Sequence, residues 1–287
     1  NIDLLTSYIK DNNGKELIGW SWWNSWLDRY TGGIRKSKTY RVGSPSGVGK
    51  SNLVYQTIGS LLKQGAKVMF VSLENTIETT YIKFLSSMQE VNPNEIESWR
   101  VAPDVDMLRR YNEQFILTDQ LFELADIKRE VIKNKPDVVI LDYIGLVDIK
   151  GKDEKTMYSD YADQIKKFMQ NNKDIAWIDL SNLNKDDDEE RIRAHKGFNG
   201  SAKLRNNSDV NIHMFYYKPF YEYKQTIKET WKEGAYEKFE NTQVITFLIS
   251  KNRMGADWVE DTFGINFTKG INYKQIPKDK QELWKTL

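Results

Sequence analysis

One stretch narrows what this chain can fold into more than any other. Ser46-Gly47-Val48-Gly49-Lys50-Ser51 follows the apolar strand 39–42, and Leu53, Val54, Ile58, Leu61 and Leu62 then recur at helical spacing. Strand, glycine-rich turn, Lys-Ser and helix in that order read as a phosphate-binding P-loop. Backbone N–H groups of residues 46–52, ending on Asn52, are expected to wrap a polyphosphate. Lys50 would neutralise the β- and γ-phosphates and Ser51 would hold Mg²⁺. The helix that follows points its positive N-terminal end at the same anion. One departure stands out: six residues before Lys50, where glycine is usual, the chain has Ser44, with Gly43 just upstream.

Composition sets the outer bounds. At 287 residues the chain can form one large domain or two small ones around a substantial core. A net charge of +1 gives no overall field for polyanions, so contact with nucleic acid has to come from local basic clusters. There are no cysteines, which excludes disulfides, cysteine metal sites and a cysteine nucleophile, and fits a reducing compartment. No apolar run is long enough to cross a bilayer. The first residue is Asn1 rather than Met, so further domains are allowed for. Four of the nine tryptophans, Trp20, Trp22, Trp23 and Trp26, crowd one segment and suggest an anchoring or packing surface.

Apolar strands are expected at 67–73, 138–142, 175–181, 210–216 and 244–250. Helical periodicity is expected over 121–134 and again through Tyr158, Tyr161, Ile165, Phe168 and Met169. Strands alternating with helices predict one parallel, right-handed α/β sheet, and continuously apolar strands predict helices on both faces. Two polar regions interrupt the pattern. Residues 184–207 carry the acidic run Asp186-Asp-Asp-Glu-Glu190, then Arg191, Arg193 and Lys196. Residues 218–241 read as a helical insertion or a long hairpin.

Three further positions carry chemistry. Asp142 ends the strand 138–142, where a Walker-B carboxylate would support the metal begun by Ser51. Glu74 follows the strand 67–73 at the ligand edge of a parallel sheet, where a carboxylate can activate water; taken alone, it reads first as a solvated loop position. Lys251-Asn252-Arg253 is either a solvated strand end or a cation pair reaching another subunit's γ-phosphate. His213, inside a strand, reads as packed; the two histidines make no metal or triad constellation, and His195, in the charged loop, is in a position to contact phosphate without being a site candidate.

Together these pieces resemble the RecA-like motor domain of the DnaB-type hexameric replicative helicases, over residues 19–267. Trp26-Leu-Asp-Arg-Tyr-Thr-Gly-Gly-Ile34 is similar to the family's lead-in to its first core strand. Ser72-Leu-Glu74 resembles the motif with the catalytic glutamate, Leu141-Asp-Tyr143 the Walker-B motif, Leu180-Ser-Asn-Leu-Asn184 the third motif, and Lys251-Asn-Arg-Met-Gly255 the fourth. The P-loop with Ser44, and the stretch from Gly200 to Asp209, look closest to the helicase half of phage primase-helicases. The resemblance implies a RecA-like α/β P-loop NTPase with a mostly parallel sheet. It also implies ATP and Mg²⁺, a homo-oligomeric, hexameric ring, and hydrolysis-driven movement on single-stranded DNA. Glu74 becomes the residue that activates water, Lys251 and Arg253 the groups acting in trans, and Asn182 the phosphate sensor, where the family usually has Gln or His. Lys196, Gly200, Lys203, Arg205 and Asn206 become DNA contacts, with the acidic run turned away from the strand. Residues 1–18 are expected to be a linker that docks on a neighbour or a frayed terminus, and 19–287 the motor. A primase or polymerase partner and the bacterial or infected-host cytosol follow from the same resemblance. A RecA- or KaiC-type ATPase that does not unwind, and a nucleotide-binding ring that only assembles, are the alternatives.

Overall fold

The computed structural model describes residues 2–15, 17–149, 154–183, 202–230, 241–266 and 272–285. Among these described residues nine strands form one sheet in the order β3-β2-β4-β5-β1-β6-β7-β8-β9. They are β1 (Thr39–Ser44), β2 (Val68–Ser72), β3 (Phe115–Thr118), β4 (Val138–Asp142), β5 (Ala176–Asn182), β6 (Val210–Tyr216), β7 (Thr242–Asn252), β8 (Val259–Asn266) and β9 (Lys274–Gln275). The first six run parallel, whereas β7, β8 and β9 are antiparallel. The sheet is therefore mostly parallel, as the resemblance implied. Lys251 accordingly lies inside β7 rather than after it.

Helices cover both faces, and this explains the unbroken apolar strands. Val68 and Phe70 of β2, with Val138 and Ile140 of β4, face one core together with helix α3 (Lys50–Lys63) and helix α4 (Ile77–Gln89). The alternate residues Met69, Val71, Val139 and Leu141 face a second core. There they meet α7 (Leu124–Asn134) and α8 (Glu154–Asn171). Period-2 alternation thus survives, hidden because both faces are buried.

Among the described residues the remaining helices are α1 (Ile2–Asn12), α2 (Ser25–Thr31), α5 (Pro93–Glu97), α6 (Val105–Arg110), α9 (Ala202–Asn207), α10 (Lys218–Thr230) and α11 (Lys278–Lys285). The described part of 218–241 is thus helical. The acidic run 186–190, His195, Lys196 and Gly200 lie outside the described residues.

The tryptophan segment packs inside the domain. The Asn24 side chain caps α2 by accepting from the Trp26 N–H. The Asp28 carboxylate accepts from the Trp22 N–H at 2.7 Å and from the Ser21 hydroxyl. Trp22 Nε1 donates to Thr31 Oγ1 at 3.1 Å, so the buried indole keeps its polar bond. Trp22 meets Tyr40 edge-on, Trp23 meets Phe247, Phe263 and Tyr273, and Trp26 meets Tyr30 and Phe263. This segment ties β1 to the antiparallel strands that the P-loop pattern does not foresee.

His213 is buried in β6, as its strand position implied. Burial, reinforced by the charge of Arg205, pushes its imidazole down to about 3. The unfolded chain therefore takes up a proton near pH 6.5 that the folded chain refuses until about pH 3. Stability from this residue is present above pH 6.5 and is lost as pH falls toward 3, a loss of about 2 kcal/mol by pH 5. Urea melts at pH 7.5 and pH 5 should show a smaller acid loss for His213→Leu than for the parent, by about that amount.

Candidate nucleotide site

Five parallel strands end at one edge of the sheet, and each delivers a candidate residue there. β1 runs into the P-loop, β2 into Glu74, β4 ends on Asp142, β5 on Asn182 and β6 on Tyr216. Ser44 is in register with Asn182 and Ser72 with Asp142, so these ends are level. The carboxyl edge of a parallel sheet is where α/β proteins bind ligands.

The turn between β1 and α3 has the geometry its glycines predict. Gly47 and Gly49 sit at φ 82° and 104°, which a side chain resists. Lys50 begins α3, and its Nζ donates to the Ser44 carbonyl and Ser44 Oγ, both at 3.0 Å, and to the Pro45 carbonyl at 3.2 Å. Ser44 thus supplies a hydroxyl to the lysine that glycine has no atom to supply. Burial pulls the Lys50 ammonium down to about 8, against the opposing charges of Asp142 and Glu74.

Asp142 is 1% exposed. Its Oδ2 accepts from Ser51 Oγ at 3.1 Å, and its Oδ1 is buried with no hydrogen-bond partner among the described residues. Burial, and secondarily the charge of Glu74, pushes this carboxyl up to about 6, while Ser51, Lys50 and Lys83 act against the shift. A buried oxygen lacking a donor beside a serine hydroxyl is a donor set that suits a hard cation. Glu74 is exposed just beyond β2, on the open side of the same cluster.

Two tyrosines that sequence reasoning missed grip the loop from outside. Tyr273 Oη lies 2.9 Å from the Val48 carbonyl and 3.3 Å from that of Gly49, and a Cβ on Gly49 would collide with it. Tyr216 Oη donates to the Gly47 carbonyl at 3.2 Å. Nothing local marks Tyr273 as a loop contact, since it sits more than two hundred residues downstream.

Lys251 and Arg253 are not brought to this site. β7 runs against β6, and the Arg253 N–H donates to the Asp209 carbonyl while the Asp209 N–H donates to Thr39. The pair therefore lies level with the start of β1, about 16 Å of strand from Ser44. Lys251 Nζ donates to the carbonyls of Arg205, Asn206 and Ser208 at 2.8, 2.9 and 2.7 Å. Burial first, then the charge of Arg253, pulls its ammonium down to about 8.

The described candidates for DNA contact lie on α9. Lys203 pairs with Asp163 of α8 at 2.6 Å, and Asn207 donates to the same carboxylate. Asn206 is exposed, and Arg205 is half-buried. The sheet holds α9 through Arg41 of β1, which donates to the Leu204 carbonyl and pairs with Asp179 of β5 at 2.6 and 2.7 Å. Both charges are buried, and Tyr161 and Trp177 extend the network.

A P-loop turn, a carboxylate at the end of β4 and six parallel strands define a RecA-like α/β fold. A family model of the DnaB-like helicase C-terminal domain matches residues 24–272, and the chain belongs to that family. The replicative DNA helicases DnaB of two strains of Helicobacter pylori are each 23% identical over 295 residues, covering 88% of this chain. The chain spans only 58% and 59% of the length of those relatives. Among solved structures, an ATPase domain superposes with TM-score 0.75 at 17% identity, covering 96% of this chain and 99% of its own. A DnaB-like replicative helicase described with its interactions with primase superposes with TM-score 0.73 at 15% identity, covering 96% of this chain and 68% of its own. Among the described residues no helix is long and apolar enough to cross a membrane.

Tyr273→Phe removes the hydroxyl from the Val48 and Gly49 carbonyls. It is expected to lower stability by about 1 kcal/mol and to weaken nucleotide binding several-fold, read by thermal melts and fluorescent-nucleotide titration.

Proposed function

We propose that this chain is the ATP-driven motor of a replicative DNA helicase, working as a ring of identical subunits with ATP at each interface. One observation carries this reading: the phosphate cradle and the cation pair Lys251 and Arg253 occupy opposite edges of one sheet. A chain with complementary half-sites on opposite edges is completed by a head-to-tail neighbour, and head-to-tail contacts close into rings when the rotation allows. A hexamer fits the family, and residues 1–18 are the linker to a neighbouring subunit, with 19–287 as the motor.

The backbone N–H groups of residues 46–52 hold the phosphates, and Lys50 leaves Ser44 to meet the β- and γ-phosphates. Ser51 and Asp142 would hold Mg²⁺, which neutralises charge between the transferring and leaving oxygens. Glu74 orients a water and accepts its proton as the water oxygen bonds to the γ-phosphorus. The bond from that phosphorus to the bridging oxygen breaks, releasing ADP and phosphate. The cationic strand end of the adjacent subunit stabilises the charge on the transferring group. Asn182, level with Ser44, reports whether the γ-phosphate is present. Lys203, Arg205 and Asn206, with Lys196 and Gly200, hold single-stranded DNA through its phosphates, without sequence preference. Successive hydrolysis moves these contacts along the strand and unwinds duplex ahead. A primase or polymerase is the working partner, in the cytosol of a bacterium or an infected host.

Glu74→Gln should bind ATP like the parent but hydrolyse it at least about a hundredfold more slowly. It should also fail to open a forked duplex. Unchanged turnover would remove Glu74 from the chemistry, and parent protein that hydrolyses ATP but never unwinds a fork would favour a non-unwinding ATPase.

A further inference from the structure

Within the reading above, the cradle binds phosphate through the N–H groups of its loop, and a loop with two glycines does not by itself fix where they point. In a planar trans peptide the C=O and the N–H point opposite ways. Whatever holds the carbonyls of residues 47–49 therefore aims the N–H groups of Val48, Gly49 and Lys50. Each of the three carbonyls has a partner. That of Gly47 accepts from Tyr216 Oη at 3.2 Å, and that of Val48 from Tyr273 Oη at 2.9 Å. The Gly49 carbonyl accepts from the Asn52 and Leu53 N–H groups in the first turn of α3. Two of the three restraints thus come from tyrosine hydroxyls outside the loop. Gly49 fits the same arrangement, since a Cβ there would strike the Tyr273 hydroxyl.

Tyr273 reaches the loop from a segment that cannot hold itself. β9 is two exposed residues, paired to β8 only at Phe263–Gln275 and Gly264–Lys274. Side chains of three other elements fix it instead. Ser87 of α4 and Asn272 exchange two hydrogen bonds, at 2.6 and 2.8 Å. Gln56 of α3 brackets the Tyr273 backbone, accepting from its N–H at 2.7 Å and donating to its carbonyl at 3.3 Å. Asp261 of β8, 4% exposed, accepts from Gln275 at 2.6 Å, Lys278 at 2.9 Å and Gln281 at 3.1 Å. One buried carboxylate thus gathers β9 and the start of α11, the residues that directly follow Tyr273.

We propose that residues 272–281 are a strap that shapes the phosphate cradle before a nucleotide arrives. Asp261 is the positioning residue that sets the strap. Tyr273 carries its effect to the loop, holding the Val48 carbonyl outward and so turning the Gly49 N–H toward the anion. Neither side chain touches phosphate. A loop ordered in advance costs less to bind, so the strap acts on affinity for the phosphates and not on the chemical step. The cradle is thereby tuned from the far end of the chain, by a carboxylate three sheet positions away from β1.

The test compares Tyr273→Phe, Asp261→Asn and the double variant in the whole chain, with circular dichroism to check folding. ATP and inorganic tripolyphosphate, which has neither base nor sugar, are titrated at equilibrium. Tyr273→Phe should raise both dissociation constants about fivefold, and Asp261→Asn at least about threefold. The double variant should match Tyr273→Phe within about twofold, because an anchor that acts only through the hydroxyl adds nothing once the hydroxyl is gone. In steady-state ATPase assays KM should rise with the dissociation constant, while kcat stays within about twofold of the parent. Unchanged binding in Asp261→Asn overturns the proposal. So do losses that multiply in the double variant, weaker ATP binding with tripolyphosphate unmoved, or a fall in kcat with KM unchanged. If Asp261→Asn does not fold, Gln56→Leu frees the same backbone from α3, and unchanged tripolyphosphate binding there overturns the strap as well. Parent protein that binds neither ligand would overturn both the strap and the cradle it shapes. Parent protein that binds ATP but neither hydrolyses it nor opens a fork would defeat the motor reading alone, and the binding comparison still decides the strap.

Discussion

A strand that returns antiparallel beside a parallel sheet delivers its C-terminal residues to the edge opposite the phosphate loop, and this constraint governs the rest of the molecule. β1 carries the chain to the cradle at one edge, and β7 carries Lys251 to the other. Side-chain reach cannot bridge some 16 Å of strand, so within one chain the cation pair stays apart from the P-loop, and in the ring we propose the two meet between molecules. The crossover from β5 to β6 has to travel between the same two edges, and α9 is its last leg. Three cations from β1 and the end of β7, Arg41, Lys251 and Arg253, hold that helix by its carbonyls.

The buried Arg41–Asp179 pair has a role that stability alone does not explain. Taking two charges out of water is expensive, and such pairs often add little over apolar packing. Losing one partner, however, strands the other, at about 3–5 kcal/mol. The pair therefore enforces a relation among β1, β5 and α9 more than it strengthens the fold. Tyr161 and Trp177 complete the network, so few alternative arrangements satisfy its polar atoms.

Much of this was legible in the residues. The P-loop is a local pattern, and its strand, turn and helix need no distant partner to be read. β4 and β6 fall on the expected residues because strands buried on both faces are continuously apolar. β3 was missed because four residues, only the first of them buried, carry too little signal. The antiparallel strand β8 was missed because Glu260, Asp261 and Thr262 interrupt the apolar pattern, and β9 because two exposed residues carry no pattern at all. Asp261 is nonetheless buried, accepting from Gln275, Lys278 and Gln281. The tryptophan segment announced packing but not its target, since Phe247, Phe263 and Tyr273 lie at the far end of the chain. Tyr216 and Tyr273 escaped for the same reason, and the direction of β7 could not be read without its partners.

The central claim is that each site is built from two subunits, and mixing tests it most directly. Glu74→Gln and Arg253→Ala proteins, each inactive alone, are combined at equal concentration with ATP, Mg²⁺ and single-stranded DNA, and turnover is measured. A shared site predicts that activity returns, because some interfaces join an intact Glu74 from one subunit to an intact Arg253 from its neighbour. Mixed rings that form and remain as inactive as either variant alone would contradict the account.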